Sequence, residues 1–180
     1  MNIAAYTLAF CQTVTGLLFL TSSISKLRDI HGFIGTIHRF RLVNPYFDRP
    51  IAFAFLAGEL LVVILMVVGG PILAWGFLLA TFLLILFSGA LISVLMRKIQ
   101  TSCNCFGSSE KQVTRYDVIR NVAFVLCAGT GFFLLTQNGG ANTSTLSLID
   151  WILVCLVSIL FVVIWIQSGE IIQFLSASNK

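Results

Sequence analysis

Five stretches of this chain stay apolar for about twenty residues each, and that length decides what the rest can be. A helix rises about 1.5 Å per residue, so ~20 apolar residues cross the ~30 Å hydrocarbon core of a bilayer. The first run spans Ile3 to Ile24, and with no Lys/Arg-rich segment ahead of it, it reads as a membrane helix rather than a cleaved signal. The second starts at Asp48-Arg49-Pro50, a cap with proline in the first turn, and ends at Val68. Gly69-Gly70-Pro71 makes a tight turn into the third, Ile72 to Met96. Thr114 to Asp117 and Ser147 to Asp150 both have capping-box spacing, opening runs that reach about Thr136 and Gln167.

Composition agrees. Charged residues make up 10% of the chain and hydrophobic ones 58%, whereas a soluble domain carries about 25% charged. No polar segment is long enough to enclose a core of its own. The net charge of +4 is spread over short loops, which argues against nucleic acid as a partner and makes the charges a record of membrane orientation. All eleven Lys and Arg fall in the segments 25–49, 97–116 and the C-terminus, or within a turn of them. The N-terminus, Gly69–Pro71 and Gln137–Ser147 carry none. The positive-inside rule then puts the N-terminus outside. Tyr6, Trp75 and Trp151 fall at the outer ends of the runs, and Tyr46, Tyr116 and Trp165 at or near the inner ends, as an aromatic belt requires. Between the first two crossings, Ile30, Phe33, Ile34 and Ile37 follow helical spacing while His31, Thr36, His38 and Arg39 take other faces. This predicts a short interfacial amphipathic helix over Asp29–Arg41. The expected fold is an all-α integral membrane protein: a four-helix transmembrane bundle, a fifth transmembrane helix, and that interfacial helix.

Chemistry enters at Thr101-Ser102-Cys103-Asn104-Cys105-Phe106-Gly107, on the cytoplasmic side by charge bias. A disulfide across one intervening residue closes a very small ring, so it is strained and easily reduced, which suits exchange better than scaffolding. Lys98, Lys111 and the start of the fourth run favour thiolate. Two thiolates also suit Cu(I), and with His31 or His38 could serve another metal; a reduced pair without a role is the plainest alternative. Glu59, near the middle of the second run, is costly at that depth unless paired, neutral or facing water. It is a candidate proton acceptor or cofactor contact, or a neutral group bonded through Thr13, Thr15, Thr81 or Ser88. Cys11 and Cys155 fall in the outer half and Cys127 at mid-membrane; packing is the better reading of all three, an electron relay the alternative.

With Cys103-Asn104-Cys105-Phe106-Gly107 between the third and fourth runs, the chain resembles the methylamine-utilisation MauE family, related to the DoxX-like membrane proteins. Lys26-Leu27, the stretch around Phe33, Gly58-Glu59-Leu60 and Arg120-Asn121 also fit. The resemblance covers residues 1–136, as a four-helix membrane domain, and leaves 137–180 as a loop, the fifth helix and a short cytoplasmic tail. It implies a multi-pass bacterial inner-membrane protein that matures a disulfide-containing client, often alongside a thioredoxin-like partner. Cys103 and Cys105 would be the exchanging pair, and Glu59 a contact for an unspecified cofactor. A non-enzymatic assembly factor and a metal-handling protein are the rival readings.

Overall fold

The computed structural model describes residues 3–40, 44–97, 115–137 and 146–177, with side chains for all of these except residues 45, 115 and 166–177. They are helical: α1 Ile3–Arg28, α2 Ile30–Phe40, α3 Asp48–Val68, α4 Leu73–Met96, α5 Arg115–Gln137 and α6 Leu148–Ala177. Five of these, all but α2, are long and apolar enough to cross a membrane. The all-α expectation holds, and the differences lie at the ends of elements.

The first is at α1, which runs four residues past Ile24 to Arg28 and so carries Lys26 within the helix. Asp29 then makes the corner. Its Oδ1 accepts the Gly32 N–H at 2.9 Å, capping the start of α2. On α2, Phe33, Thr36 and Phe40 are the buried residues. Thr36, expected on a polar face, is buried because its hydroxyl donates to Gly32 O at 3.0 Å and so needs no water. Thus α2 is more than a surface anchor: it packs on α3.

Asp48 does not cap α3. A 3-10 turn, Pro45–Phe47, leads into the helix without any side-chain cap, and Asp48 is already its first residue. Its buried carboxylate instead meets His38 Nδ1 at 2.7 Å, pinning α2 to the start of α3. At the far end, Gly69 and Gly70 both have φ of 65°, a left-handed geometry that glycine reaches without a Cβ penalty. There Gln12 donates to Met66 O at 2.7 Å, satisfying one of the last carbonyls of α3. The Ser147–Asp150 box forms as its spacing predicts: Asp150 accepts the Ser147 N–H at 2.9 Å, and Ser147 accepts from Ile149 at 3.3 Å. From there α6 continues to Ala177, about ten residues beyond the predicted stop at Gln167.

Packing closes a ring. Helix α1 packs on α3, α3 on α4, α4 on α5, and α5 back on α1, while α6 lies outside, mainly against α1. The core runs through Leu8, Val14, Val62, Phe77, Ala80 and Ala128, all fully buried. Cross-helix bonds mark the two ends of the bundle. At one, Tyr6 bonds Asp150 at 2.9 Å, alongside the Gln12–Met66 contact. At the other lie His38–Asp48 and, deeper in, Asn121 bonded to Ser88 at 3.3 Å. That second end carries every described Lys and Arg.

Candidate functional site

The residues from Lys98 to Thr114 lie outside the described part of the chain, and Cys103 and Cys105 with them. The capping-box spacing at Thr114–Asp117 starts there too. What flanks that segment is described: α4 ends and α5 begins at the Lys/Arg-bearing end of the bundle.

In the same half of the molecule sits Glu59, 2% exposed. Its partners are neither Thr13, Thr15, Thr81 nor Ser88. They are Lys26, also 2% exposed, whose ammonium contacts Glu59 Oε1, and Ser22, which donates to the same oxygen at 3.0 Å. Lys26 donates a second bond to Ser22 Oγ at 3.1 Å. The reason is the phase of α1. Its buried positions include Leu8, Cys11, Thr15, Leu18, Ser22 and Lys26, three or four residues apart, so the core-facing stripe runs on through its last turn. A helical Lys side chain leans back toward the N-terminus, which brings its ammonium up to Glu59 from a Cα near the helix end. That spacing is visible in the sequence, although the basic segment around Lys26 reads first as surface charge.

The ammonium is also enclosed by rings. It lies 4.9, 4.8 and 5.8 Å from the centroids of Phe33, Phe55 and Phe87, contributed by α2, α3 and α4. Cation–π contacts of this reach are worth ~0.5–2 kcal/mol each, most where water is excluded. Phe33 is what α2 delivers to the site. Beside the pair is a cavity of about 30 Å³, with Glu59, Lys26, Ser22 and Asn121 as its polar lining and Leu18, Phe55 and Leu84 among its apolar walls. Glu59 Oε2 has no hydrogen-bond partner among the described residues. The buried Ser23 hydroxyl faces the same carboxylate and is the donor nearest to hand for that free oxygen.

Cys11, on α1, lies in the buried core, and Cys127, on α5, is packed against that core. Cys155 is half-buried on α6. His38 is taken by Asp48, and no group of three or more His, Cys, Asp or Glu that could hold a metal occurs among the described residues.

The family model for methylamine utilisation protein MauE matches residues 4–134, from the second residue of α1 almost to the end of α5. The chain belongs to the MauE family. The matched region contains nearly all of the four-helix ring, the Lys26–Glu59 pair and the Cys103-Asn104-Cys105 string. The chain is also 34% identical over 120 residues to the methylamine utilization protein MauE of Paracoccus denitrificans. That alignment covers 64% of this chain and 64% of the relative, so the chain spans just under two thirds of the relative's length. No solved structure matches. With five candidate spans and this family, the protein is a multi-pass membrane protein.

Proposed function

We propose that this MauE-family protein carries out thiol–disulfide exchange through Cys103 and Cys105, and so supports maturation of a partner protein of the methylamine-utilisation type. The observation that carries the reading is the position of the Cys103-Asn104-Cys105 string. It lies inside the family match, in the stretch of sequence between α4 and α5. In the forward direction one thiolate attacks a partner disulfide, forms the mixed disulfide and expels one partner thiolate. The second cysteine then attacks its neighbour's sulfur, closing Cys103–Cys105 and releasing the second partner thiol; the partner gains two electrons and this chain loses them. A thioredoxin-like protein or a disulfide-containing client fits that exchange. The setting we propose is the bacterial inner membrane, with the N-terminus outside, the Lys/Arg-bearing end in the cytoplasm, and residues 1–136 as the working unit.

Trapping tests it. With Cys103→Ser and Cys105→Ser made singly, one variant should accumulate a mixed disulfide with its partner, because the resolving thiol is gone. The other single variant and the double variant should accumulate none. Equal trapping in both single variants, or client maturation unimpaired in the double variant, would remove the thiols from the function.

A further inference from the structure

Two ions taken out of water and placed side by side cost several kcal/mol each, and their attraction offsets this only where every lone pair and proton finds a partner. At Ser22, Lys26 and Glu59 that requirement is met on one side and left open on the other. Glu59 Oε1 takes both Lys26 and Ser22, while Oε2 has no bond of full hydrogen-bonding geometry among the described residues and only the buried Ser23 hydroxyl facing the carboxylate. A buried acceptor left in that state costs ~1–3 kcal/mol or more. The adjoining cavity, about 30 Å³ and lined in part by Glu59, has room for a water molecule and offers the two to four polar neighbours that hold one.

The ring cage decides whether the cluster survives the arrival of a proton. If Lys26 were held by Glu59 alone, protonating the carboxylate would strand an ammonium in an apolar interior. Here the faces of Phe33, Phe55 and Phe87 stay around it, and Ser22 Oγ still accepts its N–H. The cluster can therefore gain a positive charge without coming apart. We propose that Ser22, Lys26 and Glu59 form an intramembrane proton-binding site, loaded at Glu59 Oε2 through a water held in the adjoining cavity. Glu59 exchanges the proton, while Ser22 and Lys26 hold its other oxygen in place.

Few other charges bear on the site. From α1 the facing charge is Lys26 itself. On α2, His31, His38 and Arg39 are exposed, and His38 is engaged by Asp48. Besides Glu59, α3 carries only Asp48 and the exposed Arg49, both in its first turn. Helix α4 has no titratable residue between Leu73 and Met96. On α5, Arg120 and Asp117 pair at 3.4 Å beside Asn121, which lines the cavity. The site does not rest on the thiol chemistry, so it should survive removal of Cys103 and Cys105.

Infrared difference spectroscopy tests this on the full chain in lipid, in a Cys103→Ser/Cys105→Ser background. On stepping from mildly basic to mildly acidic buffer, a protonated-carboxyl C=O band should appear, shift down in D₂O because the proton exchanges with water, and vanish in Glu59→Gln. Glu59→Asp should keep the band at a displaced frequency, which assigns it even if the Gln variant folds poorly. Phe55→Leu, which thins the cage without touching the carboxylate, should shrink the band at a given pH. A missing band over the whole range, a band unchanged in Glu59→Asp, or one insensitive to D₂O would each overturn the proposal.

Discussion

Lys26 is the residue whose placement matters most, and its energetics can be separated from its proton chemistry. Removing one member of a buried, bonded ion pair leaves the other uncompensated, at a cost of about 3–5 kcal/mol, whereas replacing both with apolar groups of similar volume is often neutral or stabilising. Lys26→Met and Glu59→Leu should each lower the thermal midpoint in detergent sharply. The double variant should recover most of the loss, giving a strongly non-additive cycle; additive single losses would mean that the pair is not coupled as its geometry implies. At this scale the sequence is half legible. A carboxylate at mid-helix must have a partner, and Glu59 stands out on that ground. Its partner is hidden because a lysine two residues from a helix end, in a basic segment, looks like a surface charge. Only the three-and-four spacing from Thr15 through Ser22 says that it points inward. Asp48 misleads for a related reason. An acidic residue ahead of a proline resembles a cap, but the carboxylate is needed by His38 across a fold that local spacing does not reveal.

Elements are far more legible than contacts. Apolar length marks five crossings, the period of α2 marks an amphipathic helix, and Ser147 to Asp150 form the box that their spacing requires. What local pattern does not encode is which helix faces which, since α4 is apolar on nearly every side and α3 is marked past its first turn only by Glu59. Glycine records one such choice. At Gly131 an added Cβ would stand 2.4 Å from the Phe77 ring, which is itself fully buried, so α5 approaches α4 closely only because no side chain is there. At Gly129, two residues earlier, a Cβ would meet nothing within 4 Å. Gly131→Ala should therefore destabilise by ~1–3 kcal/mol through overpacking. Gly129→Ala should be neutral or gain up to ~1 kcal/mol of helix propensity. Thermal unfolding of the two variants side by side checks this, and equal midpoints would mean that α4 and α5 are not packed through Phe77.

Taken whole, the molecule is polarised. One end holds the glycine turn between α3 and α4 and the Tyr6–Asp150 and Gln12–Met66 contacts; the other holds every described Lys and Arg, α2 and the proposed proton site. Because Lys26 is paired inside the bundle, the orienting charge rests on residues that do reach the surface, such as Arg28, Arg39 and Arg49. That excess survives the loss of one contributor, so the whole protein should insert with this end in the cytoplasm. In a background without native cysteines, Pro71→Cys reports the turn end and Arg39→Cys the α2 end, both at exposed positions. A membrane-impermeant maleimide applied to intact cells should label Pro71→Cys directly, and Arg39→Cys only once the membrane is opened. The reverse pattern would place Glu59's half of the bundle, and the segment joining α4 to α5, toward the outside. A thiol partner would then have to be sought there, and the proton reaching Glu59 would come from the opposite compartment.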